Sequence, residues 1–312
     1  MARKVYLHVG LHKTATRFLQ RAVFRQLDPQ QFEYNPEPLM TLLNQCLRHR
    51  DDAQARQALE AEVARLMQDE SRGLLISKAG ISGDMYDQHS GFEENLEIVR
   101  KLFPGAHVLF FIRDQADWLL SAYRQSIQKG AFGPIEVFLN FYDGEFRRKQ
   151  APRMGGMRNV DALGLRFLTM YRGYVEAFGE QNVFLFRYED MREDRQGFMA
   201  RLARSLDIPS VPVSRPDQRR NRSYSALAIQ LFCGSFTAPA RPPKPGDKAS
   251  ARLPWYSPRR TGRRLRRLLI KHLFDRFIYK DWDLLARGGM RQTLEAHYRA
   301  ENEELKRVSR LN

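Results

Sequence analysis

An α/β fold, a doubly wound and mainly parallel sheet flanked by helices, is what the sequence predicts, and three observations predict it. Short apolar runs alternate with stretches of helical periodicity through residues 5–206. Two of the runs, Val5-Tyr6-Leu7-His8-Val9 and Val108-Leu109-Phe110-Phe111-Ile112, stop abruptly, at Gly10 and Arg113. The chain has 312 residues, 43% of them hydrophobic and 28% charged, a globular balance with material for one large α/β domain or two small ones. The reading adopted is a single domain over 1–312.

The elements follow in order. Residues 5–9 read as a short buried strand, and Gly10 opens a polar, Thr-rich turn. Phe18, Leu19, Ala22, Val23 and Leu27 then recur at helical spacing. Residues 53–70 read as an amphipathic surface helix, with Ala55, Leu59, Val63 and Leu66 on one face. Leu74-Leu75-Ile76-Ser77 suits a buried parallel strand, ending in Gly80 and Gly83. A helix over Glu93–Phe103 stops at Pro104-Gly105. Residues 108–112 give the strongest strand signal, and a helix over about 116–128 follows. Leu163–Phe178 is predicted helical, Val183–Phe186 a strand, and 197–206 helical. Six prolines crowd residues 237–262, which read as an irregular excursion. No internal repeat and no sustained heptad is present.

Charge narrows the function classes. The net charge is +16, and from residue 201 onward 25 Lys/Arg face 10 Asp/Glu. An excess so localised implies an anionic partner: a nucleotide, an acidic glycan, a nucleic acid or an anionic membrane. No run approaches the roughly 18 apolar residues of a membrane span. The N-terminal MARKVYLHVGLHK lacks the apolar core and cleavage site of a signal peptide. Cys46 and Cys233 make neither a disulfide framework nor a metal cluster, so a reducing cytoplasm is expected.

Two segments carry chemistry. In Gly10-Leu11-His12-Lys13-Thr14-Ala15-Thr16-Arg17, small residues let the backbone curl around an anion. The helix N-terminus adds partial positive charge, Lys13 a full one, and the threonines and Arg17 further donors. A Walker A loop would need a second glycine before the lysine, which excludes an ordinary ATP loop and argues against a P-loop kinase. In Arg113–Gln125, RDQADWLLSAYRQ, an arginine ends a strand and Ser121 lies two helical turns on, so a guanidinium fork and a hydroxyl can meet on one phosphate. The same Arg-Asp pair also suits a helix cap with a salt bridge. Both segments follow strands, and ligands of such sheets sit beyond the carboxyl ends of the strands.

Here the sequence resembles the PAPS-dependent sulfotransferases, in particular bacterial members that modify glycans. GLHKTATRFLQ resembles their 5′-phosphosulfate loop, usually Pro-Lys-[Thr/Ser]-Gly-Thr-[Thr/Ser]. IRDQADWLLSAYRQ resembles their 3′-phosphate motif, and LFRYEDMREDRQGFMARLARSLDI a later segment of the family. RNRSYSAL from Arg220 and HYRAENEELKR near the C-terminus resemble less specific segments. The resemblance implies a P-loop-NTPase-like fold and PAPS (3′-phosphoadenosine 5′-phosphosulfate) as donor, with no metal. It implies that Lys13 stabilises the transferring sulfonate and its bridging oxygen. Thr14, Ala15, Thr16 and Arg17 would hold the 5′ end, Arg113 and Ser121 the 3′-phosphate, and Arg222, with Arg220, would add contacts; Ser223 also reads as a helix cap. The acceptor it implies is a hydroxyl of a glycan or glycolipid.

The departures are informative. His12 replaces the usual proline and Ala15 the usual glycine, a mild change if φ there stays negative. Ala79, in Ser77-Lys78-Ala79-Gly80-Ile81-Ser82-Gly83, stands where many relatives carry a glutamate general base. His12 is the first candidate to replace it, since imidazole titrates near neutral pH; Asp84 and His89 are weaker ones, and Lys78 suits the sulfonate or an acidic acceptor. The missing carboxylate also suits a non-catalytic module that binds a polyanion or membrane. Residues 259–280 hold nine basic residues among Leu, Ile and Phe. As a helix over 263–280 they suit either an anionic bilayer, hence a peripheral place on the inner membrane surface, or docking on the domain with a solvated basic face. No nucleic-acid motif accompanies the charge.

Overall fold

A computed structural model describes residues 3–129, 131, 133–148, 159–214, 224–233 and 278–311, without the side chains of 231–233 and 311. The expectations for Arg220, Arg222 and Ser223, for the Pro-rich 237–262, and for all but the last three residues of 259–280 lie outside the described residues.

Five strands form one parallel sheet: β1 (Val5–Gly10), β2 (Phe32–Tyr34), β3 (Gly73–Ser77), β4 (His107–Ile112) and β7 (Val183–Arg187). The order is β2-β3-β1-β4-β7, so β1 is central and the chain reverses direction across it. The register pairs Val5 with Leu74 on one side and Tyr6 with His107 on the other. A two-stranded antiparallel piece, β5 (Phe141–Tyr142) with β6 (Glu145–Phe146), stands apart from it.

Both faces of the sheet are covered, which is why its strands are apolar almost without interruption. Val5, Leu7 and Val9 point to one face, onto a core shared with α2 (Leu39–Arg48), α3 (Ala53–Leu66), α4 (Phe92–Leu102), α5 (Gln115–Gln128), α7 (Phe167–Phe178) and α11 (Met290–Leu311). Tyr6 points the other way, with Leu75, Leu109 and Phe111, against Leu19, Phe24 and, from α9 (Arg195–Ser205), Phe198 and Leu202. Remaining helices are α1 (Thr16–Phe18), α6 (Ile135–Leu139), α8 (Tyr188–Glu193) and α10 (Ala226–Cys233).

Two predicted helices differ. The stretch after β1 is not one α-helix: α1 is a single turn, continued by a π turn at Leu19–Val23 and a 3-10 turn at Phe24–Gln26. The wide turn lets Gln20 Nε2 bond the Ser77 hydroxyl at 2.9 Å and its carbonyl at 3.2 Å. The helix expected from Leu163 begins at Phe167, because side chains of α11 satisfy the preceding backbone. Tyr298 Oη accepts from Leu165 N–H at 3.1 Å, and Glu301 from Leu168 N–H at 2.7 Å. Among the described residues no helix is long and apolar enough to cross a membrane.

Candidate active site

β1 runs straight into the loop Leu11–Ala15. Leu11 N–H still bonds Phe111 O of β4 at 2.9 Å, and then the chain curls. Lys13 and Ala15 take left-handed conformations, with φ of 73° and 62°. Left-handed residues at alternate positions suit the kind of turn in which successive N–H groups can face an anion. The negative φ under which Ala15 would be a mild replacement is therefore not what the loop adopts, and alanine here bears the strain that glycine would avoid. Thr14 Oγ1 donates to Leu11 O at 2.6 Å, closing the curl from within. Gly10 is obligatory for a different reason: a Cβ there would stand 2.8 Å from Thr16 Oγ1 and 3.0 Å from His8 Nε2.

Lys13 is half-buried in this loop. Burial, then Arg113, Arg17 and Lys129, lower its pKa to about 8. The charges that lower it are cations from three elements, and Asp117 pairs with one of them, Arg113, at 3.8 Å. Arg17 is exposed on α1.

Arg113 leaves the end of β4, beside Lys13 across the sheet. Its guanidinium lies 4.6 Å over the Tyr188 ring, its Nε is buried with no hydrogen-bond partner among the described residues, and Asp117 is 3.8 Å away. Arg113, Asp117 and Ser121 follow at four-residue steps along one stripe, Ser121 half-buried two turns up α5. The helix-cap reading of Asp114 also holds, since its carboxylate accepts from Ala116 N–H at 3.3 Å. Asp117 is held by Arg291 of α11 at 3.0 Å, which removes its charge from competition for Arg113.

The partners that hold this shelf escaped sequence reasoning. Ile112 pairs with Arg187, which brings the start of α8 against Arg113. Tyr188 supplies the ring, and Glu189 accepts from Asp114 N–H at 3.1 Å. Asp190 receives Arg187 at 3.2 Å and Arg201 at 3.1 Å. The Tyr-Glu-Asp string was visible; its contact with Arg113 depends on the pairing of β4 with β7.

His12 is also half-buried. Its carbonyl accepts from Trp118 Nε1 at 2.7 Å, and its Nδ1 is buried with no partner among the described residues. Burial first, then Lys129, lowers its pKa to about 4, so the imidazole is neutral at pH 7. Asp84 alone pulls the other way.

The segment after β3 lies on the opposite flank of β1. Ala79 opens a 3-10 turn (Ala79–Ser82) and brings no titratable group. Lys78 Nζ donates to Asn44 Oδ1 at 2.9 Å. His89 is enclosed by Trp118 and Phe167, with ring centroids at 5.5 and 5.8 Å, and its Nδ1 meets Ser82 O at 2.9 Å. That environment is a core, not a cleft. Asp84 is exposed and accepts from Tyr86 N–H at 2.9 Å, shaping its own loop. The loop of Lys13 and His12 is thus tied to the helix that carries Ser121 through Trp118, and His89 packs against the ring of Trp118.

A sequence profile of the sulfotransferase family matches residues 8–212. No curated protein matches the chain. Among solved structures, a sulfotransferase from Alicyclobacillus acidocaldarius superposes with a TM-score of 0.47 at 15% identity, over 74% of this chain and 91% of that one. A sulfotransferase domain from the curacin biosynthetic pathway gives 0.37 at 12% identity, over 67% and 75%.

Proposed function

The chain belongs to the sulfotransferase family, and from that premise we propose that this enzyme moves the sulfonate of PAPS onto a hydroxyl of a glycan or glycolipid. The observation that carries the donor assignment is the meeting of Lys13, Arg17 and Arg113 at the carboxyl ends of β1 and β4, where the charges that lower the pKa of Lys13 are cations. The donor fits it at both ends. Its 5′-phosphosulfate suits the curled loop of Thr14, Ala15 and Thr16, with Lys13 and Arg17. Its 3′-phosphate, roughly −1.5 to −2 charges, suits Arg113 and Ser121. The glycan or glycolipid acceptor rests on resemblance to bacterial members of the family.

Transfer is an in-line displacement at sulfur, in which positioning and charge stabilisation do most of the catalysis, as in phosphoryl transfer. The acceptor oxygen forms a bond to sulfur while the bond from sulfur to the 5′-phosphate oxygen breaks. Lys13 neutralises the charge gathering on that bridging oxygen. The hydroxyl proton goes to His12, whose imidazole is neutral and free to accept it. An imidazole held near 4 is a weak base; burial is the main cause, Lys129 the next, and Lys13 is the depressing cation that the donor itself would neutralise. Neutralising Lys13 on donor binding therefore restores part of its proton affinity when a base is required.

Ala79, where a carboxylate base is missing, favours a second reading: a non-catalytic module that binds a polyanion or membrane. Titration calorimetry with adenosine 3′,5′-bisphosphate against ATP tests the donor assignment. Tight bisphosphate binding, weak ATP binding and loss of the former in Arg113→Ala are expected; absence of bisphosphate binding overturns it. Bisphosphate binding with no sulfonate transfer to any hydroxyl acceptor would select the second reading.

A further inference from the structure

The sheet order gives the site a direction. Arg113 stands at the end of β4 on one flank of β1, and β3 forms the other flank. On the donor reading just proposed, on which this inference rests, the 3′-phosphate lies toward β4. The transferring end then faces β3, and an in-line acceptor oxygen must approach from the β3 flank.

That flank carries positive charge the donor does not need. Lys78, the first residue beyond β3, is half-buried, and Asn44 Oδ1 of α2 fixes its ammonium at 2.9 Å. Arg48, one helical turn along α2, acts on the same ammonium, with only Glu37 opposing it. A second cation arrives from above. α5 crosses the loop, bonding His12 through Trp118, and ends at Lys129, whose Nζ lies 5.6 Å over the ring of Tyr86 in the β3–α4 connection. The charge of Lys129 is felt at both His12 and Lys13.

Neither Lys78 nor Lys129 makes an ion pair among the described residues. Lys78, partly desolvated and held by a neutral amide, is unfavourable unless an anion completes it, whereas Lys129 is exposed and adds its charge through solvent. Ala79, between Lys78 and the turn it opens, adds no negative charge. A neutral acceptor would leave this arrangement without purpose.

We infer that the acceptor is itself an anion: a sugar hydroxyl compound bearing a carboxylate or a sulfate close to the hydroxyl that is modified, with Lys78 and Lys129 receiving the negative group. Lys78 reads the acceptor's charge from the β3 side and Lys129 from the end of α5. His12, which feels both charges, takes the proton.

The test uses the full chain saturated with adenosine 3′,5′-bisphosphate, titrated with three probes: p-nitrophenyl β-D-glucuronide, its neutral methyl ester, and a 6-sulfated p-nitrophenyl β-D-galactoside. At least one anionic probe should bind about tenfold more tightly than the ester, or about 1.4 kcal/mol; the tighter of the two identifies the group. Lys78→Met should shrink the preference to about twofold, and Lys78→Arg should retain most of it. Binding of both anionic probes no tighter than the ester, a preference indifferent to Lys78→Met, or no binding of either anion at about 10 mM, roughly 2.7 kcal/mol of affinity, overturns the inference while bisphosphate binding persists. Failure to bind the bisphosphate overturns the donor reading instead. Should Lys78→Met fail to fold, as a melting curve would reveal, Lys129→Met makes the same comparison.

Discussion

Trp118 of α5 donates its indole N–H to the backbone carbonyl of His12 at 2.7 Å. The helix that begins beside Arg113 is thereby tied to the loop that presents Lys13, and the two halves of the donor site share one fastening. Trp118→Phe keeps the ring and removes the donor. It should lower stability by about 1–2 kcal/mol, measured by urea denaturation, and weaken bisphosphate binding about three- to tenfold, because the loop loses its register with Arg113. Unchanged affinity would show that the loop holds its shape alone.

Ala15, at φ 62°, sits where an alanine pays for its side chain. Ala15→Gly should stabilise the fold by about 1 kcal/mol, after allowance for the freedom glycine gains when unfolded. A melting temperature that falls on this change would contradict the strain.

Lys13 offers a pH signature. Its pKa of about 8 in the free protein is held down by burial and by neighbouring cations. A bound bisphosphate neutralises those cations and raises the value, so binding near pH 8 should draw in about half a proton and weaken as pH rises above 8. Calorimetry in buffers of different ionisation enthalpy measures the uptake, and Lys13→Met should abolish it.

His12 should titrate near 4 in the free protein, from burial and Lys129, and move upward when bisphosphate binds. The acid limb of turnover then lies above 4. His12→Ala should lower kcat by about 10²–10⁴-fold. Near-normal turnover with purified donor would remove His12 as the base.

The strands of the site were legible because each is buried on both faces: Leu7, Ile76, Val108 and Phe110 are fully enclosed, and such runs admit little but apolar residues. Lys13 and Arg113 could be placed because charge follows directly on those runs. β2 was not legible. It has three residues, one of them Glu33, whose carboxylate pairs with Arg3 at 2.7 Å. α2 carries Leu39, Leu43 and Cys46 at helical spacing, a usable signal, but Pro36 and Pro38 precede it and mark a loop. The role of Tyr188 lay beyond reach for another reason, since it arises only when β7 docks beside β4. The sign of φ at Ala15 is likewise a property of the folded loop and not of the residue type.

α11 has a consequence for the order in which the protein assembles. Asn302 reaches Asp114 across 188 positions of sequence and Arg291 reaches Asp117 across 174, both directly behind Arg113. Contacts so distant in sequence carry a large loop-closure penalty and form late. The sheet can be paired while Arg113 still lacks its backing. On the proposed donor reading, a nascent or truncated chain would then have the Lys13 loop without a braced Arg113, and the capacity to spend an activated sulfonate would appear only when folding is complete.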